Sequence, residues 1–397
     1  MGNAMDEYAR HQKIWRMLYG PISLWICRKF HMTHEDLKVD GPVLLVPNHV
    51  NAWDPLLVAM SLKEKQVYFV ASEHLFRLGF LSRALQWLVA PIPRRKAASG
   101  TDTVKACLRH LRAGHSICLF AEGEQCWDGR SNPVFPATGK LAKSSGATLV
   151  TYRLEGAYLS KPRWARGVRR GRVHGHPVNI YPPETLKGMS AAEVNAAIER
   201  DCYEDAWERQ RQWRQPYRGK RLAEGLERAM YLCPRCRGIG TLHTKDDRIF
   251  CGCGFSLQYT AEGFFSPAEP FETVADWEAW QRETLRTRGF PTQGERLFSD
   301  GDMLLTKIDS AHEETALGRG TLTQYEDRIS CAGHDFSLPE IRSMAPVQSY
   351  LLLFSYRDEY YQLRSDSGAN LRKYMEIWRE AADSSPQRLP REKQERN

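Results

Sequence analysis

The run Val43-Leu-Leu-Val-Pro-Asn-His-Val-Asn-Ala-Trp-Asp-Pro55 places an imidazole and a carboxylate five residues apart, at His49 and Asp54. A carboxylate bonded to one ring nitrogen sets the tautomer and leaves the other nitrogen free to take a proton from a hydroxyl. On a continuous helix of 3.6 residues per turn the two side chains would point about 140° apart, whereas in a turn they can meet. The context favours a turn. An apolar strand runs to Pro47, and Asp54-Pro55 reads as a helix start, with Asp as N-cap and Pro in the first turn. Strand-to-helix turns are where open α/β sheets place reactive groups. Such a pair needs no serine nucleophile, and the chain has no Gly-x-Ser-x-Gly elbow. By itself the spacing also fits a helix cap beside a surface histidine.

A second chemistry is written in Cys233-Pro-Arg-Cys236 and Cys251-Gly-Cys253-Gly254, a Cys-x2-Cys-x14-Cys-x-Cys pattern. Four thiolates at these spacings can close a tetrahedral zinc site, with the glycines and Pro234 permitting tight knuckles. His243 could replace one thiolate, and four free cysteines are the plain alternative. A four-thiolate site leaves no open position, so one structural zinc per chain is expected rather than a catalytic one. The other six cysteines are scattered, and Met1–Arg10 reads as polar rather than as a secretory leader. A reducing compartment follows, and in it the cluster reads as metal rather than disulfide.

Three further blocks accompany the His49 run. Ile92-Pro-Arg-Arg-Lys96 follows an apolar stretch with three cations in a row, Phe120-Ala-Glu-Gly123 ends a strand on a carboxylate and a flexible residue, and Val150-Thr-Tyr-Arg153 lies in the next strand. The order Asn-His-x4-Asp, then Pro-Arg, then Phe-x-Glu-Gly resembles the glycerol-phosphate and lysophosphatidate acyltransferases, over roughly residues 40–210. That resemblance implies His49 as general base, Asp54 as its orienting partner, and Arg94 with Glu122 and Gly123 at the acceptor's phosphate and glycerol. A guanidinium offers phosphate a planar fork. Glu122 cannot hold phosphate as a carboxylate, so it would order Arg94 or bond a glycerol hydroxyl. Many relatives carry a basic residue and a small hydroxyl after Glu-Gly, where this chain has Glu124-Gln125-Cys126. The exact acceptor is therefore left open.

These groups need a scaffold, and the alternation of short apolar runs with amphipathic stretches from 42 to 180 predicts an α/β domain with its sheet covered by helices. Strands are expected at Val43–Val46, Val67–Val70, Ile117–Phe120, Thr148–Leu154 and Val173–Ile180. Helices are expected at Pro55–Leu62, Leu75–Leu88, Val104–Leu111, Thr138–Lys143 and, as one long element capped by Ser190, Ser190–Trp213. The predicted organisation is an N-terminal amphipathic, membrane-contact segment (1–40), the acyltransferase-like domain (41–215), a zinc ribbon (231–266), a β domain (297–382) and a disordered tail (383–397). Within the fourth, Met303–Ile308, Gly320–Ser330, Tyr350–Tyr356 and Tyr360–Arg364 read as strands. Asn370–Ala382 reads as a helix with Leu371, Tyr374, Met375 and Trp378 on one face. This arrangement resembles a pleckstrin-homology-like fold.

With 42% hydrophobic and 26% charged residues the chain of 397 is globular, and its net charge of +8 suits an anionic membrane face, acidic substrates or nucleic acid. No stretch reaches the roughly 18 to 20 apolar residues of a membrane span. Met17–Cys27, bounded by Arg16 and Arg28, is either core packing or an interfacial anchor. Lys161–Arg172 holds six cations and Trp164, either a solvated loop or a contact with anionic lipid worth about 1 kcal/mol per cation. The expected function is transfer of a fatty acyl group, from acyl-CoA or acyl-carrier protein, to a lysophosphatidate-like hydroxyl at the cytoplasmic face of a membrane. Another lysolipid or a lipid-linked amine as acceptor, a non-catalytic lipid-binding adaptor, and a zinc-ribbon nucleic-acid binder are the rival readings.

Overall fold

The computed structural model describes residues 2–72, 86–94, 101–288, 294–309, 313–347, 350–366 and 368–383. The chain divides into two units: Met1–Arg163 with Gly167–Gly219, and Trp164–Arg166 with Lys220–Asn397.

The first unit opens with helix α1 (Gly2–Phe30) and then alternates strands with helices. In chain order these are β1 (Met32–His34), β2 (Val43–Pro47), α2 (Asp54–Ala59), β3 (Val67–Ser72), β4 (Ile92–Arg94), α3 (Thr101–Arg112), β5 (Ser116–Cys118), α4 (Ala137–Ser145), β6 (Thr148–Glu155), α5 (Ala157–Ser160) and β7 (Val173–Tyr181). The seven strands form one sheet in the order β1-β7-β6-β2-β5-β3-β4. Every neighbouring pair is parallel except β6 and β7. β2 sits at the centre with all five residues buried, the near-continuous apolar run expected of a strand covered on both faces. One covering layer packs Leu111, Leu141, Val194 and Ile198 against Leu44, Val46 and Ile117.

Two sequence expectations shift here for local reasons. The strand at 116–118 stops before Phe120, which frees Phe120 to turn back over the sheet end. The long helix expected over Ser190–Trp213 is two, α6 being the short Pro183–Gly188 before them: α7 (Ala191–Cys202) and α8 (Ala206–Trp213). Ser190 and Glu193 close a capping box on α7. Asp205 then accepts the N–H groups of Trp207 and Glu208 and starts α8 afresh. Most of the helix expected at Leu75–Leu88, and the tail after Asp383, lie outside the described residues.

In α1, Ile26 and Phe30 are fully buried, and Trp15 and Tyr19 donate to the carbonyls of Leu62 and Met60. Met17 and Leu24 are exposed on the opposite side, and Leu18 and Trp25 are exposed on its flank. Among the described residues, no helix is long and apolar enough to cross a membrane.

The second unit holds two antiparallel sheets. The smaller one comprises β8 (Leu242–Lys245), β9 (Arg248–Cys251), β10 (Ser256–Tyr259) and β11 (Phe265–Ser266), in the order β11-β10-β9-β8. Helix α9 (Val274–Arg288) follows. The larger sheet comprises β12 (Arg296–Ile308), β13 (Glu314–Tyr325), β14 (Arg328–Cys331), β15 (His334–Ser337), β16 (Ile341–Val347), β17 (Leu351–Tyr356) and β18 (Glu359–Ser365). Its order is β15-β14-β13-β12-β18-β17-β16. The strand expected over Gly320–Ser330 is the end of β13 and the start of β14, reversed at Glu326-Asp327. The final helix, α10 (Arg372–Asp383), and Leu371 just before it close this sheet, with Leu371, Tyr374 and Met375 in the same core as Leu305, Leu322, Phe354 and Leu363.

The basic loop is corrected by the fold. Trp164 is fully buried and meets Tyr259 edge-on at 5.5 Å, and Arg169 is buried as well. An aromatic that fills protein core cannot also lie in a headgroup layer, so Trp164 is no lipid contact.

Candidate active site and cysteine cluster

The reacting turn begins just past β2 at Asn48, whose N–H still donates to the Tyr152 carbonyl at 3.3 Å. Its side chain extends the pairing: Nδ2 donates to the Leu154 carbonyl at 3.1 Å, and Oδ1 accepts the Leu154 N–H at 2.8 Å. The next residue, His49, is thereby delivered at the carboxyl end of the central strand.

Asp54 shapes the rest of the turn. Its Oδ2 accepts His49 Nδ1–H at 2.8 Å, Val50 N–H at 2.5 Å and Asn51 N–H at 2.9 Å. The expected N-cap is Trp53 instead, which makes no side-chain cap, while Asp54 is the first helical residue and aims backward into the turn. Asp54 is fully buried, and that burial raises its carboxyl pKa against the opposing pull of His49 and the two amides. An acceptor-only carboxylate at Nδ1 puts the ring proton there and leaves Nε2 as the basic atom. The imidazole keeps 17% of its surface open, enough for a reactant to reach it.

A second segment holds the histidine from the other side. The Phe120 ring stacks on the imidazole at 4.3 Å. Glu122 Oε1 accepts His49 N–H at 2.8 Å and its Oε2 accepts Asn132 N–H at 2.7 Å, while the His49 carbonyl accepts Cys126 N–H at 3.0 Å. Burial pushes the Glu122 carboxyl up to about 8, the His49 and Asn132 amides pulling the other way. Gly123 has φ +74°, and an added Cβ there would collide with the Phe135 ring, so only glycine fits.

That same ring carries Arg94. The guanidinium stands 4.9 Å from the Phe135 centroid, half-buried, with burial lowering its pKa, and it has no carboxylate partner among the described residues. Phe135 thus packs near both the Arg94 guanidinium and the Gly123 backbone. Arg95 and Lys96 lie outside the described residues. Arg153 is tied to the Asp201 carbonyl by Nε and Nη2.

Several contributors carry no signal of their own in the sequence. Arg163 lies over the Trp127 ring at 4.0 Å and donates to the Gln125 carbonyl at 3.0 Å. Trp53 packs against Trp25 at 5.7 Å and Phe30 at 5.5 Å, with the Lys29 ammonium 5.2 Å from its ring. Only the density of aromatics in α1 and at 53 hints at this brace.

In the second unit Cys233, Cys236, Cys251 and Cys253 bring their sulfurs within 4.8 Å of one another. Cys233 and Cys253 are 3.6 Å apart and Cys236 and Cys251 3.8 Å. A tetrahedron with metal–sulfur bonds of about 2.3 Å has edges of about 3.8 Å, whereas a disulfide needs about 2.05 Å. The donor set thus fits a zinc ion. His243 is exposed beside Phe250 and stands outside the cluster.

Residues 29–155 match the family model described as Acyltransferase. A chloroplastic 1-acyl-sn-glycerol-3-phosphate acyltransferase of Arabidopsis thaliana is 27% identical over 153 residues, 38% of this chain and 41% of that protein. One from Brassica napus is 26% identical over 130 residues, 32% of this chain and 37% of that protein. The chain thus matches about two-fifths of the length of these curated relatives. The crystal structure of a 1-acyl-sn-glycerophosphate acyltransferase from Thermotoga maritima aligns with a TM-score of 0.38 and 18% identity, over 47% of this chain and 78% of that one. His49, Asp54, Arg94, Glu122 and Gly123 all lie within residues 29–155, the stretch that this family model matches.

Proposed function

We propose that the protein is an O-acyltransferase that moves a fatty acyl group from a thioester donor, acyl-CoA or acyl-carrier protein, to the hydroxyl of a lysophosphatidate-like acceptor. The observation that carries this reading is the His49 Nδ1–Asp54 bond, which leaves Nε2 as the basic nitrogen of a partly exposed ring at the end of β2. In the reaction Nε2 takes the acceptor's hydroxyl proton as its oxygen attacks the thioester carbonyl. The tetrahedral intermediate collapses with cleavage of the C–S bond, and the imidazolium returns the proton to the leaving thiolate. Asp54 stabilises the imidazolium between these steps.

Arg94 is the proposed phosphate contact, because a half-buried guanidinium on an aromatic face without a carboxylate partner among the described residues is open to a dianion. Gly123 keeps the wall beside it low. Replacing Arg94 with alanine should raise the acceptor's KM by about tenfold or more and the donor's much less, the scale of one lost charged hydrogen bond. Equal effects on both substrates, or equal use of acceptors without phosphate by the parent enzyme, would remove Arg94 from that role. Transfer to another lysolipid or a lipid-linked amine uses the same atoms, and lipid extracts from cells with and without the protein, resolved by mass, separate these acceptors.

The proposal includes peripheral attachment to the cytoplasmic face of an anionic membrane through α1. Met17, Leu18, Leu24 and Trp25 are exposed there, flanked by Arg16, Arg28 and Lys29. Changing Met17 and Leu24 to serine should weaken binding to anionic vesicles at every salt concentration, since the lost contribution is apolar. Undiminished vesicle binding would make this face ordinary protein surface. In the second unit, the cysteine cluster is read as a structural zinc ribbon, and the seven-stranded sheet closed by α10 as a pleckstrin-homology-like module.

A further inference from the structure

We infer that Glu122 acts through His49 as its positioning residue, as the fixed point of a cradle, Phe120–Cys126, that grips the reacting histidine at three places. The ring is held by Phe120, the N–H by Glu122 and the carbonyl by Cys126. Three contacts from seven consecutive residues define the position of His49 and the plane of its ring, while Asp54 sets its tautomer from the opposite side.

Glu122 anchors this cradle because each of its oxygens holds a different stretch of chain. Oε1 takes the amide of His49 and Oε2 the amide of Asn132, whose side chain in turn donates to the Glu124 carbonyl at 3.1 Å. Both oxygens accept a backbone amide, so neither stretch of chain can shift without breaking a bond to Glu122. Burying a carboxylate is costly unless it is bonded, and here burial is nearly complete, with 5% of the residue exposed. A group whose task was to meet a diffusing acceptor would need an open face. Glu122 has its two oxygens turned to backbone and little surface left.

Side-chain chemistry makes the role separable from substrate contact. Glutamine has one oxygen and one NH2, so Glu122→Gln sets a donor against a donor at one of the two amides. Aspartate is one methylene shorter and cannot span both. Phe120→Leu removes the ring stack and leaves both amide bonds, so it tests the cradle where Glu122→Gln folds poorly.

The test combines kinetics with the ligand-free state. Its kinetic arm rests on the acyl transfer proposed above; its spectroscopic arm does not. In Glu122→Gln, kcat should fall at least tenfold while the acceptor's KM stays within about twofold, and Phe120→Leu should show the same split. In protein labelled with 15N-histidine and free of substrate, the His49 ring signals should shift or broaden in both variants, because the ring is no longer held in one position against Asp54. A raised acceptor KM with unchanged kcat would make Glu122 an acceptor contact and overturn the inference. So would unchanged His49 ring signals in both folded variants. If the parent protein transfers no acyl group to any acceptor, the proposed function fails, and the ring signals alone decide the cradle.

Discussion

Replacing His49 with alanine should lower acyl-transfer turnover by about a hundredfold or more, the scale of a lost general base, and leave the fold intact. The fold should survive because the links that build the turn are backbone links: the amides of Val50 and Asn51 reach Asp54 whatever side chain stands at 49. Asp54→Asn should be nearly as damaging to turnover and worse for stability. Oδ2 serves three donors, and Oδ1 is buried without a hydrogen-bond partner among the described residues. An asparagine that keeps its oxygen at Oδ2 must bury its NH2 unpaired at Oδ1, a cost of about 1 to 3 kcal/mol. It also brings no negative charge to hold the imidazolium that forms when Nε2 takes the proton. Turnover in a folded His49→Ala variant that matches the parent's would end the general-base mechanism. An Asp54→Asn variant with parental turnover would remove the carboxylate's charge from it.

The readability of this site from sequence follows the range over which each part acts. His49 and Asp54 are local partners, and a strand running into a Pro-bearing helix start announces the turn that joins them. The alternating apolar runs likewise announce the parallel-rich sheet, since a strand buried on both faces must be apolar throughout. Glu122 is legible as a residue but not as an interaction, because its two amides come from positions 49 and 132 and backbone partners leave no trace in residue type. Arg163 and Trp53 are invisible for the same reason of distance along the chain. The split of the expected Ser190–Trp213 helix turns on Asp205, whose capping role was masked by the helix-forming residues on both sides. Trp164 misled because an aromatic among arginines reads as a surface motif, while the fold carries it into a core with Tyr259.

Elemental analysis of protein purified without chelators should find one zinc per chain, bound by Cys233, Cys236, Cys251 and Cys253. The small sheet gives the reason for expecting a large effect on removal. Its buried apolar groups are few, chiefly Leu242, Ile249, Leu257, Tyr259 and Phe265. The ends of the 233–236 turn are tied by Cys233 N–H to the Gly238 carbonyl, the Leu232–Ile239 bridge and Trp277 Nε1–H to the Leu232 carbonyl at 3.1 Å. A structural zinc contributes about 10 kcal/mol or more at neutral pH in modules of this kind, far more than such a sheet can supply alone. A chelator should therefore open the segment between Tyr231 and Phe265 to protease while the sheet carrying His49 stays protected. Cys253→Ser should release the metal and His243→Ala should retain it, since His243 lies on the exposed face of β8. Protein with no metal, or a chelated protein with the 231–265 segment still protected, would sink the structural site. Release of zinc by His243→Ala and its retention by Cys253→Ser would mean that the fourth ligand is the histidine.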